Sequence, residues 1–304
     1  MPAGSANDLS QYEQLSLTSA GDSFIAVQTN TTSGIFTGEA DGDFRGILSE
    51  VGSLNPLVWL PDGTLVFRSA SDGAANLWRM HADGANRRQL TVNAQIDARG
   101  ICALPDGKYT VFVSRRAGRS NLWRVESDGE NLTQLTDGEA DAYPTCAADG
   151  QTVIYQHGIQ SRPTLWKIPL SGGETVPLNE FYGKWPAASR DGKSVSYFHM
   201  KDNKWRFGFV TPDGRRASEA VDVPINLKES VVHWSAGGRN LFYIGTSGNR
   251  VNLWSLSLAS GETKSLTNFA SHQLTDFSLA PDGNKFAVSR SVSLSDVVLI
   301  NEPK

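Results

Sequence analysis

Cysteine, methionine and histidine are scarce in this 304-residue chain, at two, three and five residues. Two cysteines exclude a disulfide-stapled scaffold and a multi-cysteine zinc site. The five histidines, His81, His157, His199, His233 and His272, lie far apart without HExxH spacing, so each reads as a surface or packed side chain, and no metal is expected. A cationic excess is missing too. With 28 Lys and Arg against 32 Asp and Glu, the net charge is −4, which leaves no surplus to displace counterions from a nucleic acid. No apolar run approaches the ~18 residues of a membrane helix, and MPAGSANDLS lacks the basic and apolar segments of a secretory leader. If the protein is exported, its targeting segment lies outside this sequence.

Catalytic signatures are absent as well. There is no Gly-x-Ser-x-Gly elbow, no glycine-rich phosphate loop and no HRD or DFG segment, so the expectation is a non-enzyme without a cofactor. Helical periodicity is missing: no stretch of 12 residues carries apolar groups at 3.6 spacing. What remains is 39% hydrophobic and 20% charged, a composition that folds into a core.

The chain is instead periodic. Turns of the PDG type, each between two β-rich runs, place glycines at Gly21, Gly63, Gly107, Gly150, Gly192, Gly238 and Gly283, spaced 42 to 46 residues apart. Fifteen or sixteen residues after these turns come Phe36, Trp78, Trp123, Trp166, Gly208, Trp254 and Leu299, usually within Leu-Trp. Leu48, Leu90, Leu135, Leu178 and Leu266 follow twelve residues later, several of them in Leu-Thr. Each unit reads as four short strands joined by tight turns, since Asp-Gly and Gly-Gly supply the positive φ that hairpins need. Units of this length pack radially. The expectation is all-β: one domain over residues 1–304, a seven-bladed propeller of four-stranded antiparallel blades. Residues 1–6 are expected to be a tail, with residues 7–11 as the outer strand of a last blade that is otherwise one strand short.

The succession PDG, Leu-Trp, ADG, Leu-Thr, best seen in LPDGTLVFRSASDGAANLWRMHADGANRRQLT, resembles the TolB-like propeller repeat, a relative of the WD repeat. SDVVLI near the C-terminus resembles the ending of TolB-like propellers carried behind bacterial serine/threonine kinases. The resemblance implies a binding module, a sensor or protein-interaction propeller, monomeric as a domain and extracytoplasmic if it belongs to a membrane-anchored kinase. The alternatives are a stand-alone periplasmic scaffold that binds a protein or peptide, and a lyase or glycosidase with its site at the propeller mouth.

In a four-stranded meander the long connections share one face, and binding groups tend to sit on such loops. Around its central opening the spacing places Arg99, Tyr143, Tyr182, Lys184, Trp185 and Asp276, which are the candidate contacts for a protein, peptide or small ligand. Asp137, Glu139 and Asp141 alternate as calcium ligands would, but without the rest of a loop they read as solvated acids. Arg115, Arg116 and Arg119 form one basic loop, and Arg87 and Arg88 sit in another turn. Cys102 and Cys146 fall five and four residues before their turn glycines. That offset points their side chains to opposite sheet faces, so no disulfide is expected.

Overall fold

The computed structural model describes residues 11–17, 23–71, 73–158, 162–216, 220–224, 227–270 and 273–301. Three strands open the chain: β1 (Gln11–Leu17), β2 (Ser23–Glu39) and β3 (Phe44–Val51). Blade 1 follows as β4 (Leu57–Trp59), β5 (Thr64–Ser69), β6 (Asn76–His81) and β7 (Arg88–Gln89). Blade 2 is β8 (Ile96–Ala103), β9 (Tyr109–Ser114), β10 (Asn121–Glu126) and β11 (Thr133–Gln134); blade 3 is β12 (Asp141–Cys146), β13 (Thr152–His157), β14 (Thr164–Pro169) and β15 (Val176–Tyr182). Blade 4 comprises β16 (Lys184–Ala188), β17 (Val195–Lys201), β18 (Lys204–Val210) and β19 (Val221–Asp222). Blade 5 comprises β20 (Leu227–Trp234), β21 (Asn240–Ser247), β22 (Arg250–Ser257) and β23 (Thr263–Ser265); β24 (Gln273–Leu279) and β25 (Lys285–Asn301) end the chain. Each blade is an antiparallel meander with its first strand innermost.

The described strands form six sheets, not seven. The sixth blade is assembled from both ends of the chain. Its inner half is β24 and the first part of β25; its outer half is the second part of β2, paired from Thr31↔Ser293 to Glu39↔Lys285, and then β3. The first and last copies of the repeat therefore each supply half a blade, and counting turn glycines overcounts by one. The ring closes through two N-terminal strands, β2 and β3. Residues 7–10 and Gly21 lie outside the described residues, and Gln11 begins β1, which pairs with the first part of β2. There β1, β2 and β25 form a three-stranded ribbon that extends the sixth blade. Ile25, Val297 and Leu299 are exposed on one face, and Leu17, Phe24, Leu294 and Ile300 on the other. SDVVLI lies in this ribbon.

Inner strands touch in a closed cycle, β4 to β8, β12, β16, β20, β24 and back to β4. Six apolar clusters fill the six interfaces. Leu65, Phe67, Ile35 and Ala287, for example, join blades 6 and 1, while Phe198, Phe207, Leu241 and Tyr243 join blades 4 and 5. Burial between sheets is thus the main stabilising contribution, at about 1.5–3 kcal/mol for each large side chain.

The recurring motifs have local reasons. In Leu-Trp the leucine is fully buried, whereas the tryptophan lies half-buried at the cluster edge. In Leu-Thr the hydroxyls of Thr91, Thr136 and Thr267 accept the backbone N–H of Leu77, Leu122 and Leu253 at 2.9–3.0 Å, tying the third strand to the fourth. The basic residue after Trp clips the next blade: Arg79 donates to Ser127 O, Arg124 to Leu170 O and Lys167 to Pro212 O. Gly208 breaks the pattern because Tyr197, its cross-strand partner, occupies the space its Cβ would need.

Candidate functional site

A channel of about 640 Å³ runs between the inner strands. All six blades line it, through residues such as Asn55, Arg99, Tyr143, Trp185, His233 and Asp276. At the long-loop end the inner strands are irregular at one register, seven residues before the turn glycine, where Gly100, Tyr143, Trp185, Val231 and Asp276 stand. The pairing shifts at or around this point in blades 2 to 6. Bulges of this kind re-aim a side chain and leave backbone groups unpaired. Gly100 has φ of 111°, and Tyr143 and Trp185 are held at 52° and 55°. For bulky residues that region costs about 1–3 kcal/mol each, so both aromatics are held at the mouth against local preference.

Four of the six candidates gather in one cluster. The Tyr143 and Trp185 rings meet edge to face at 6.3 Å, and Trp185 continues onto Phe198 at 5.0 Å. Lys184 Nζ lies 3.8 Å from both the Trp185 and Trp205 ring centroids, while Tyr182 approaches Trp205 at 6.4 Å. Burial lowers the Lys184 pKa, and ring faces stabilise its charged form. Trp185 and Tyr143 line the channel; Tyr182 and Lys184 stand behind them. Trp205 is a hub that sequence reasoning missed. Its only signal was an aromatic three residues ahead of the position where Gly208 replaces the usual tryptophan.

The other two candidates lie apart from that cluster. Arg99 lines the channel on blade 2, where its Nε and Nη2 donate to the Asp97 carboxylate at 2.9 and 2.6 Å. Asp276 is buried, and its oxygens accept Leu57 N–H at 2.7 Å and Phe277 N–H at 2.8 Å. It works as a clamp between blades 6 and 1, beside Ser278, which accepts Trp59 N–H. At the opposite, hairpin end, Arg190 of blade 4 reaches past blade 5 and donates to the carbonyls of Leu279, Ala280 and Pro281 at 3.0–3.1 Å. One guanidinium thus spans that end of the channel.

The acidic alternation at 137–141 separates in the structure. Asp137 and Glu139 are exposed, while Asp141 is buried and bonded to His157 Nδ1 at 2.8 Å. Among the described residues no group of three metal-ligating side chains converges. Cys102 and Cys146, on β8 and β12, form a disulfide with Cα atoms 5.7 Å apart, contrary to expectation. Adjacent blades pack face against face, so the outward side of one meets the inward side of the next. Side chains on opposite faces of equivalent strands therefore point toward each other.

Residues 18–191, more than half of the chain, match the family model described as the TolB beta propeller domain. The chain belongs to the TolB β-propeller family. The match carries the three most regular repeats and stops one residue before Gly192, in the blade where Gly208 departs from the pattern. Among solved structures, TolB from Agrobacterium tumefaciens is similar with a TM-score of 0.72 at 17% identity, covering 86% of this chain and 99% of that one. TolB from Acinetobacter baumannii gives 0.61 at 13% identity, over 85% of this chain and 63% of that one. A puromycin hydrolase complexed with PGG gives 0.51 at 18% identity, over 89% of this chain but only 47% of that one. A search of curated protein sequences returns no significant match. Identities this low establish the shared fold alone.

The ionisable groups inside this TolB propeller predict a pH dependence. His233 lines the channel, partly exposed to it, and its ring meets Phe277 edge-on at 4.9 Å. Burial, aided by Arg190 and opposed by a bond to the Phe277 backbone, pushes its pKa down to about 4. The unfolded chain binds this proton near pH 6.5 and the folded chain does not, so stability falls as pH drops from 6.5 toward 4. The full shift corresponds to about 2 kcal/mol lost between pH 7 and 5, and water in the channel reduces this to roughly 1–2 kcal/mol. Urea unfolding at both pH values checks it: His233→Gln should remove that part of the slope, and an unchanged slope would contradict the assignment. The turn carboxylates act lower. Burial is the largest single influence on Asp62 and Asp149 and raises their pKa values, but hydrogen bonds from Thr64, and from Gln151 and Thr152, together outweigh it and lower them overall. Their contribution is lost only below about pH 4.

Proposed function

We propose that this chain is a non-enzymatic binding module that receives a peptide segment of a partner protein at the long-loop mouth of its channel. The observation that carries this reading is the mouth itself, a ring of bulges that holds Tyr143 and Trp185 in strained backbone conformations over a 640 Å³ channel. Rigid aromatics in a concave site are the usual anchors of peptide and protein contacts. The polar groups along the channel support binding rather than chemistry. Asp276 holds two backbone amides, Arg190 holds three carbonyls, and His233 is kept neutral by burial. Membership of the TolB propeller family agrees with a scaffold role. The Cys102–Cys146 bridge favours an oxidising, extracytoplasmic compartment.

The test is a fluorescence-anisotropy screen of labelled peptide mixtures against the whole chain, repeated with Trp185→Ala and with Arg88→Gln on the hairpin face. Trp185→Ala should weaken binding by about 2 kcal/mol, roughly thirtyfold, at unchanged far-UV circular dichroism. Arg88→Gln should leave it unchanged. The reverse pattern would place the contact on the hairpin face. Turnover of peptide, ester or glycoside substrates that disappears with Trp185→Ala would replace the binding reading with an enzymatic one.

A further inference from the structure

Beside the mouth, three arginines surround one carboxylate. Asp97, near the start of β8 and only 8% exposed, accepts Arg99 through both oxygens and Arg115 Nε at 2.8 Å. Its Oδ1 also accepts the Arg99 backbone N–H at 3.1 Å, and Ser120 Oγ stands 3.5 Å from Oδ2. Arg68, on the neighbouring blade, feels the same charge while its own Nε and Nη1 donate to Ile96 O and Ser53 O.

The group lies between two spaces. Arg99 faces the channel. Arg68 and Arg115 line an adjoining groove of about 630 Å³, open because Gly73, Ala74 and Ala75 form part of its wall. Among the described residues, three guanidiniums against one carboxylate leave an excess of about two positive charges here, in a chain whose net charge is −4.

The sign of the ligand follows from the donor count. Both Asp97 oxygens are taken, so nothing remains to accept a cationic group. Arg115 is 60% exposed and uses only Nε in the described contacts, and Arg99 leaves Nη1 unused. Guanidinium nitrogens of this kind bind carboxylates in forked pairs. We propose that the groove between blades 1 and 2 receives a carboxylate of the peptide bound at the mouth, so that the partner segment is acidic. This rests on the peptide reading above.

The experiment compares three fluorescein-labelled hexapeptide mixtures of matched apolar content, carrying two aspartates, two asparagines or two lysines. Anisotropy is read against the whole protein at low salt. The aspartate mixture should bind about tenfold more tightly than the asparagine mixture. Arg115→Gln should abolish that preference and leave asparagine binding unchanged, and Arg88→Gln, the same charge change on the far face, should preserve it. Equal binding of the aspartate and asparagine mixtures overturns the carboxylate assignment and leaves the peptide reading standing. Equal loss of preference in Arg115→Gln and Arg88→Gln overturns it in favour of overall charge. If none of the three mixtures binds, the peptide reading falls and this assignment falls with it.

Discussion

Deletion of residues 1–51 should abolish cooperative folding, while deletion of residues 1–17 should lower the thermal midpoint by only a few degrees. The longer deletion removes β2 and β3 and with them the outer half of the sixth blade. Ile35, fully buried, and its neighbours Phe36, Phe44, Ile47 and Leu48 leave the two interfaces that flank that blade. At about 2 kcal/mol for each large side chain the loss approaches ~10 kcal/mol, comparable to the entire stability of a typical domain. It also exposes the outer edge of β25 and opens the ring. Of the described strands the shorter deletion removes β1 alone, which pairs with the ribbon half of β2 and contributes no described residue to the six interface clusters. About 1 kcal/mol is expected there, or 2–4 °C. Melting followed by circular dichroism, with hydrodynamic size from gel filtration, separates the two outcomes. If both truncations melt alike, ring closure by β2 and β3 is wrong.

The propeller was legible because its turns are chemically explicit. Gly63, Gly107, Gly150, Gly192, Gly238 and Gly283 all adopt φ between 66° and 82°, a region that favours glycine, and their spacing exposes the repeat. Blade number was harder to read. A hairpin leaves the same turn signature whether or not it completes a blade, and Gly21 announces a hairpin whose second strand runs straight on into the sixth blade. β2 runs for 17 residues straight through Asn30 and Ser33-Gly34, residue types that elsewhere mark turns, so no local signal announced its continuity. Site residues were legible only in part. Tyr143 and Trp185 could be placed because they sit a fixed seven residues before a turn glycine. Trp205 and the Asp97 arginine group depend on contacts between strands and blades that no spacing rule reports. Asp276 lines the channel, but its attachment to the Leu57 amide, 219 residues away, is a matter of ring closure.

Replacing Cys102 and Cys146 by serine should cost about 3–4 kcal/mol of stability. The bridge closes a 44-residue separation, and the chain-entropy model assigns that loop length roughly 4 kcal/mol through restriction of the unfolded state. Two half-buried serines add a small desolvation cost at the channel wall, where both cysteines sit. The same change should appear on reduction of the native protein, because a bridge between inner strands of blades 2 and 3 cross-links neighbours that apolar packing already holds together. Val111, Val113, Leu122, Val153 and Tyr155 fill that interface, so the reduced ring should stay folded at 25 °C with a lower denaturant midpoint. Guanidinium titrations with and without a thiol reductant, alongside the double serine variant, measure this directly. Equal midpoints in all three samples would show that the two sulfurs are not bonded in solution. A midpoint that falls on reduction but not in the serine variant would trace the effect to the reductant rather than to the bridge.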